Sequence, residues 1–532
     1  MSVDDTSRQK TRAPDGGWGW MVAFGSFLML ALVPMISLSF SILFSGFLRE
    51  QKASSTTIAW IFNLHIFNWN LVGLLTGPLA SEFGFRKVSL MGTAAASVFL
   101  ILTSFTDSIG GLMVNFSLCG IFGGLGCKPC FILIPMYFDK KRGQAVAILM
   151  AGIALGQFMG PPIVRLLLEH YALRGAGLII GAVLLNSCVG AAFFQPVEWH
   201  LKPYDEETPE ILPVADKSIE GSYMNSDETA NDDGDDVLGR KGHRVISGEV
   251  GRRAMQRSCS LHSDECSSVS MAVSLIDLTS ISLIVQNEID TLSTDKEDEE
   301  EEEASGTNRA LLTASRVIRS LISDLKIFKS PRALIIAIAG LCVANSYLNF
   351  HMILPFAIQN AGYSLEDAAW CMSIAAVANL VARLSTSSLS DCAWFNMRFV
   401  YMLGAGVVAA STLVFSFLKD LTWMKVTMGV WGYGVGTNIS LYTLIMAKYM
   451  GVQNMAAIFG CQSLIMAFGH ITLGPLLGLI RDLSGSYAVA MWAMSAEVSI
   501  CVVLWLFMPA AIAYDKRIEA RASSRHVDKL AE

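Results

Sequence analysis

Arg383 is a cation inside a long apolar stretch of the sequence, and Asn379 precedes it by four residues. A spacing of four places both side chains on one face of a helix. If that helix crosses a membrane, a central arginine costs at least about 2.5–3.5 kcal/mol unless it faces a cavity or a partner. A guanidinium can hold a carboxylate by two parallel hydrogen bonds. We therefore predict that Arg383 binds a carboxylate ligand, with Asn379 beside it; the alternative is an arginine bonded to carbonyl oxygens or to a neighbouring helix.

Other ionisable residues inside apolar stretches are few. Lys128, next to Pro129, either supplies a second positive charge to the ligand or extends toward an aqueous pocket without binding it. For Glu497 we expect structural pairing rather than proton transfer. Hydrogen-bonded packing roles are expected for the histidines of the apolar stretches, His65, His351 and His470. The sequence contains no pattern typical of a catalytic triad, a metal cluster or a phosphate loop, so we predict neither an enzyme nor a bound cofactor or metal.

The elements that must position these residues are long apolar segments. Hydrophobic residues make up 53% of the 532-residue chain and charged residues 16%, against roughly 25% charged in soluble proteins. A bilayer core of about 30 Å needs about 20 apolar residues per helix. We therefore predict an all-α integral membrane protein with twelve spans, at approximately residues 18–44, 57–81, 87–106, 109–137, 144–168, 175–196, 333–360, 367–390, 397–418, 422–448, 454–480 and 486–512.

These spans divide the chain into two groups of six. The predicted order is a tail at 1–17, a six-helix bundle at 18–196, a loop at 197–330, a second six-helix bundle at 331–512 and a tail at 513–532. Two such groups suggest an internal repeat with the ligand between the halves. The loop holds 28 of the 46 acids and 14 of the 39 bases, and its polar composition predicts a mostly disordered segment. Most Lys and Arg outside the loop fall on the side of the two termini, which we therefore place in the cytoplasm.

Two short motifs carry more specific information. Pro14-Asp15-Gly16-Gly17-Trp18-Gly19-Trp20 opens the first span, and Tyr137-Phe138-Asp139-Lys140-Lys141-Arg142-Gly143-Gln144-Ala145 opens the fifth, where Gly152 and Gly156 follow. The glycines permit tight turns and close helix packing, the tryptophans anchor a membrane interface, and the basic residues mark the cytoplasmic side. Together the motifs resemble the two signatures of the monocarboxylate transporter family, which lies within the major facilitator superfamily.

The resemblance implies the major facilitator fold and a set of site residues. Family members that move lactate and pyruvate with a proton are thought to use a lysine in the first helix and an Asp/Arg pair in the eighth. The lysine position is Leu38 in this sequence, the aspartate position is Asn379, and the arginine is Arg383. Because both titratable groups are replaced, the chain resembles an orphan or proton-independent member of the family, and we expect transport to depend little on pH.

We thus predict a plasma-membrane carrier that works by alternating access on small carboxylate-bearing solutes, either monocarboxylates or amino-acid-, carnitine- or creatine-like compounds. The alternatives are a proton-coupled lactate/pyruvate symporter and a non-transporting sensor or scaffold. The expected partners are the carboxylate substrate and the lipid bilayer. The resemblance also allows a single-span immunoglobulin-type chaperone, although no residue of this sequence indicates one. The bases form no continuous stripe, so no nucleic-acid partner is expected.

Overall fold

The computed structural model describes residues 11–12, 14–138, 141–200, 202–203, 330–390, 395–450 and 455–518. The chain divides into two compact units, one of Met1–Arg12 with Lys202–Ser263 and one of Ala13–Leu201 with Asp264–Glu532. The described part of the first unit is an antiparallel pair of two-residue strands, β1 (Thr11–Arg12) and β2 (Lys202–Pro203). The described part of the second unit holds all the helices, so the prediction of an all-α membrane body is confirmed.

The helices fall into two halves on either side of the loop. The first half contains α1 (Trp18–Glu50), α2 (Ser55–Leu71), α3 (Gly73–Phe83), α4 (Phe85–Ser104), α5 (Ile109–Cys127), α6 (Pro129–Tyr137), α7 (Arg142–Leu185) and α8 (Ser187–Ala192), followed by the 3-10 turn Val197–Trp199. The second half contains α9 (Pro331–Asn360), α10 (Leu365–Leu389), α11 (Met397–Phe415), α12 (Leu421–Met450), α13 (Met455–Ser484) and α14 (Tyr487–Leu506).

Each of the twelve predicted spans overlaps one or more of these helices, but the boundaries differ in three places. The second span consists of α2 and α3, and the fourth of α5 and α6, where Pro129 lacks the N–H that a continuous helix needs. The fifth span lies in α7, and the sixth lies in the end of α7 and in α8. Helix α7 is broken at Ala172, which has φ 51° and ψ −174°. Within the described residues, nine helical segments are long and apolar enough to cross a membrane, one of them Gln144–Ala192. The number twelve stays a prediction.

The contacts between the halves have the symmetry that a repeat requires. The second predicted span (α2) packs on the eleventh (α13), and the fifth (α7) packs on the eighth (α10). Exchanging each span for its counterpart six spans later turns the first of these contacts into the second. The first span (α1) also packs on the seventh (α9). The two halves therefore face each other across a pseudo-twofold axis, as expected for internal repeats.

Small residues set the closest helix contact inside the first half. A Cβ atom at Gly152 would lie 2.3 Å from the carbonyl oxygen of Phe27, and one at Gly156 would lie 2.2 Å from that of Ala31. Neither distance is compatible with a side chain, so α7 can approach α1 only because both positions are glycine. This contact fixes the position of α1, the helix that contains Leu38, against α7.

Candidate functional site

A cavity lies between the two halves. Helices α1, α2 and α7 line it from the first half, and α9, α11, α12 and α13 line it from the second. Its wall is largely apolar and aromatic, with polar groups at Ser37, Asn70, Asn438, Gln462, Ser463 and His470. Among the described residues that line it, none is Asp, Glu, Lys or Arg. A fixed charge for a ligand must therefore come from just behind this wall.

The cavity extends from the middle of the helices toward the side where the termini lie. Tyr401 lies in the second turn of α11, which begins on the terminal side, and Gln462 lies in the first third of α13, which begins on the same side. At the other extreme, lining residues of α1 stop at Leu38, although the helix continues to Glu50. The cavity is thus placed for access from the terminal side.

On the opposite side, Asp482 ties the halves together. Its carboxylate, at the end of α13, accepts hydrogen bonds from the backbone N–H groups of Ser55 (2.8 Å) and Thr56 (2.7 Å) and from the Thr56 hydroxyl (2.7 Å). An acceptor at that position satisfies the free N–H groups of the first turn of α2 and interacts favourably with its dipole. One side chain from the second half therefore caps a helix of the first.

Further contacts close the same side. An ion pair joins Arg165 of α7 to Glu366 of α10 at 3.1 Å. Deeper in the protein, Nδ2 of Asn63 in α2 donates a hydrogen bond to Oδ1 of Asn349 in α9 at 2.8 Å. Both asparagines are fully buried. The halves are held together at the end remote from the termini while the cavity lies toward the terminal end, which is the arrangement of a carrier facing its terminal side.

Arg383 lies behind the cavity wall, and its guanidinium is only partly satisfied. Its Nε donates to Oδ1 of Asn379 at 2.7 Å, as the spacing of four allows. The side chain is 5% exposed, and Nη2 has no hydrogen-bond partner among the described residues. A buried guanidinium whose Nη2 bonds no described residue has the capacity to bind an anion, because burying an uncompensated charge is costly.

Tyr347 connects Arg383 to the cavity. It lines the cavity, interacts electrostatically with Arg383, and its hydroxyl accepts a hydrogen bond from the amide of Gln157 in the first half. Its ring stacks on Trp431 with centroids 5.8 Å apart. Through Tyr347 and Gln157, the arginine is linked to the interface between the halves.

The structure separates the other two predicted ligand residues. Leu38 lines the cavity and is 7% exposed, so the position of the family lysine is at the site but carries no charge. Lys128 is fully buried at the junction of α5 and α6 and is not among the described residues that line the cavity. Arg383 does not line the cavity either, but it interacts electrostatically with Tyr347, which does.

The two signature motifs meet each other at the terminal end of the first half. The N–H of Asp15 donates to the carbonyl of Tyr137 at 3.1 Å, and Oδ1 of Asp15 accepts from the N–H of Lys141 at 3.3 Å. A Cβ atom at Gly19 would lie 2.9 Å from the ring of Phe138. These contacts join the start of α1 to the C-terminal end of α6 and to the start of α7.

Tryptophans complete this junction. Trp18 Nε1 donates to the carbonyl of Phe193 at 2.9 Å, and Trp20 packs on Phe138 with centroids 4.8 Å apart. Gly17 has φ 57°, a conformation that favours glycine, and Gly16 adjoins it in the same turn. Lys140 and the side chain of Arg142 lie outside the described residues. In the described part, the motifs hold helix ends together and lie away from the cavity.

Of the remaining ionisable groups, His65, His470 and Glu497 have hydrogen-bond partners, whereas Nδ1 of His351 has none among the described residues and its ring packs on Tyr347 and Trp431. His65 lies between the Ser37 hydroxyl (2.7 Å from Nε2) and the Phe116 carbonyl (2.8 Å from Nδ1), and Nδ1 of His470 is 2.6 Å from the Met466 carbonyl. The Glu497 carboxylate accepts from the amide of Asn345. Structural pairing is therefore what the geometry gives His65, His470 and Glu497.

Sequence reasoning missed Gln157, Tyr347 and Asp482. Gln157 directly follows Gly156 in an apolar stretch, and Tyr347 lies between two asparagines. A polar side chain inside an apolar stretch is the signal that could have identified both residues. Asp482 gave a weaker signal, because an acid at the end of a span is ordinary. Its role depends on α2, which lies 426 residues away along the chain.

Comparison with known proteins agrees with this architecture. A family model described as Major Facilitator Superfamily matches residues 19–475. The chain is 24% identical over 527 residues to Monocarboxylate transporter 12-B of Danio rerio, covering 97% of this chain and 92% of the relative. It is 23% identical over 512 residues to Monocarboxylate transporter 1 of Bos taurus (94% and 86%) and 24% identical over 494 residues to Monocarboxylate transporter 9 of Pongo abelii (90% and 91%). The chain therefore belongs to the Major Facilitator Superfamily, as a multi-pass membrane transporter and not an enzyme, and the curated proteins it resembles are monocarboxylate transporters.

Proposed function

We propose that the protein is a plasma-membrane carrier that moves small carboxylate-bearing solutes by alternating access, with the substrate carboxylate held by Arg383. The observation that carries this proposal is the buried guanidinium whose Nη2 has no hydrogen-bond partner among the described residues. Asn379 occupies Nε and leaves the outer edge of the guanidinium for a ligand. A planar carboxylate matches that edge, since it can accept two parallel N–H bonds.

The lining of the cavity supports a ligand with one dominant charge. Its described residues supply hydroxyl, amide and aromatic groups without a fixed acid or base. Such groups can orient the body of a small solute, while a single arginine supplies the electrostatic attraction. Tyr347 can couple the cavity to the arginine, because it lines the cavity and interacts electrostatically with Arg383.

Alternating access is supported by the position of the contacts between the halves. Asp482 and Arg165 bridge the halves on the side opposite the termini, and the cavity lies toward the termini. For the ligand to reach the other side, these bridges must break and new contacts must form at the terminal end. The excess of Lys and Arg on the terminal side supports a cytoplasmic location for both termini.

Uptake of a panel of labelled carboxylates into liposomes that contain the purified protein tests the proposal. Arg383→Lys keeps the charge but not the planar two-point grip, so we expect a loss of about ten- to over a hundred-fold in apparent affinity. Arg383→Gln should lose more, and Arg174→Gln, at an exposed arginine paired with Asp107, is the matched control. Asn379→Asp should add pH dependence only if its side chain shares the site with Arg383.

Two results would contradict the assignment. Normal uptake by well-expressed Arg383→Gln protein would remove the arginine from the site. Uptake of none of the carboxylates by native protein that is folded and correctly oriented would favour the non-transporting sensor or scaffold. Proton flux that accompanies uptake at a fixed stoichiometry would instead identify the proton-coupled symporter.

A further inference from the structure

Glu497 is a carboxylate at the middle of a helix that crosses the membrane body. It is the eleventh of the twenty residues of α14, so it lies about 15 Å from either end of the helix. A bilayer core is about 30 Å thick, which places the residue near its centre. An acid at this depth is a candidate functional group by default, because a bare charge there is costly.

The partners of Glu497 are amides and not cations. Asn345 of α9 donates its Nδ2 to both carboxylate oxygens, at 3.0 and 3.1 Å. No ion pair to Glu497 occurs within the described part of the chain. The arginines on the packed helices have partners near helix ends. Arg332 of α9 pairs with Asp515, Arg398 of α11 bonds the carbonyls of Trp505 and Leu506, and Arg481 of α13 lies 4.5 Å from the ring centroid of Tyr487.

The other titratable groups that the packed helices present carry no positive charge to the carboxylate. They are Cys342 of α9, Tyr401 of α11 and His470 of α13, whose Nδ1 bonds its own helix. Cys342 and Tyr401 are neutral or negative, never positive. In such surroundings a carboxylate at mid-membrane has one common way to lose its charge, which is to bind a proton.

A chain of buried amides connects Glu497 to the other half of the protein. Asn345 Oδ1 accepts from Asn349 Nδ2 at 2.9 Å, and Asn349 Oδ1 accepts from Asn63 Nδ2 at 2.8 Å. The three asparagines are fully buried. The chain starts on α14, passes through α9 and ends on α2, so its last bond is one of the contacts that hold the two halves together.

The shorter bonds of this chain donate toward Glu497, and a longer one, from Asn349 Nδ2 to Asn63 Oδ1 at 3.3 Å, makes the Asn63–Asn349 contact reciprocal. The polarity of the shorter bonds suits an ionised carboxylate, which can only accept hydrogen bonds. A protonated carboxyl must donate its O–H, and Asn345 can accept it only by turning its amide. Asn349 and then Asn63 would have to turn as well, and they would lose the bonds to the backbone carbonyls of Asn345 and Ala59, both 2.9 Å. Protonation therefore removes bonds that hold Asn63 and Asn349 in place at their contact.

We propose that Glu497 is a proton-binding site, separate from Arg383, and that its occupancy sets the strength of the contact between the halves at Asn63 and Asn349. One proton from water adds to one carboxylate oxygen, and its release restores the chain as described. The sequence-based expectation of pH-insensitive transport followed from Leu38 and Asn379, with structural pairing expected for Glu497; this proposal instead makes Glu497 a titratable group. The proposal depends on the proposed function only for its consequence for transport.

Infrared difference spectra of purified protein in liposomes, between about pH 8 and about pH 5, test the proton site without any substrate. Native protein should show the carbonyl stretch of a carboxylic acid from Glu497, and Glu497→Gln should remove that band. Glu169→Gln, at a half-exposed acid on α7, should not remove it. Should Glu497→Gln fail to fold, Asn345→Leu leaves the acid in place and should move the frequency of the same band. Spectra of Glu497→Gln identical to native, or an Asn345→Leu band at the native frequency, would overturn the site.

A reporter cysteine at Leu38 tests the coupling. A membrane-impermeant maleimide is applied from the side opposite the termini, where the halves are closed. Because maleimide reacts with the thiolate, each rate is divided by that of the same cysteine in denatured protein at the same pH. Lowering the pH from about 8 to about 6 should raise this normalised labelling rate about fivefold, the equivalent of one lost hydrogen bond. Glu497→Gln and Asn349→Leu should each abolish that rise. A rise that persists in both variants would overturn the relay, whether or not the carboxylate panel is transported.

Discussion

Replacing Asp482 by Asn should weaken the closure on the side opposite the termini. Asp482 accepts three hydrogen bonds from the first turn of α2, at 2.7 to 2.8 Å, and its side chain is 20% exposed. Asparagine keeps one acceptor oxygen but presents an NH₂ group to the remaining donors. It also removes the negative charge that interacts favourably with the N-terminus of α2. The variant therefore loses interactions that exist only while this side is closed.

The size of the effect follows from those bonds. Loss of a hydrogen bond to a charged group costs about 1.5–3 kcal/mol, and the low exposure limits compensation by water. Taking about 2 kcal/mol, the equilibrium between the two orientations shifts about thirty-fold toward the orientation open on the opposite side, since 1.4 kcal/mol is about tenfold. As long as that orientation remains the minor one, its population rises in the same proportion.

The Leu38→Cys reporter measures this population. Its labelling rate from the side opposite the termini should rise up to about thirty-fold in the Asp482→Asn background. Asp367→Asn is the matched control, because that carboxylate lies on the same side but bonds Ser364 and Lys425 within its own half. Equal labelling rates in the two variants would refute the assignment of Asp482 as a closure contact. A rise in both would point to a general loosening of the second half.

Two further predictions concern packing and the loop. Gly156→Ala should lower the melting temperature of the detergent-solubilised protein by the equivalent of about 1–3 kcal/mol, because the new methyl group meets the Ala31 carbonyl. Gly110→Ala is the control and should leave the melting temperature unchanged, because the space around Gly110 is open. Equal melting temperatures of the two variants would contradict the helix contact. Deletion of residues 215–305 should leave uptake per surface copy largely intact, since the polar, acidic composition of the segment does not favour a packed role. Complete loss of uptake in deleted protein that reaches the surface would assign the loop a part in transport.

The replacement of the family's titratable pair has a structural counterpart. Leu38 lines the cavity and Asn379 bonds Arg383, and neither side chain can exchange a proton. Asn379 keeps the orienting bond to the guanidinium and leaves its charge unneutralised. That combination favours an arginine that binds an anion directly, with any proton handled elsewhere in the bundle.

Local patterns in the sequence were enough to predict the helical segments, their division into two halves and the pairing of Asn379 with Arg383. Apolar length is a property of a continuous stretch, and a spacing of four fixes neighbours on a single helix. The break at Ala172 is also local, but a hydropathy pattern does not detect a change in backbone dihedral angle. At Pro129 the dihedral angles of the preceding Lys128 stay helical, and the break comes from the missing N–H of proline. For that reason the span boundaries differ while their number and order remain compatible.

The tertiary structure alone decided which distant residues meet. The two signature motifs join each other and not the ligand site, Lys128 lies apart from the cavity wall, and Asp482 caps a helix 426 residues earlier in the chain. Each of these contacts depends on the order and rotation of packed helices. The order and rotation of the helices depend on the packing of many small residues across interfaces, such as Gly156 against Ala31. No single residue or local sequence pattern determines them.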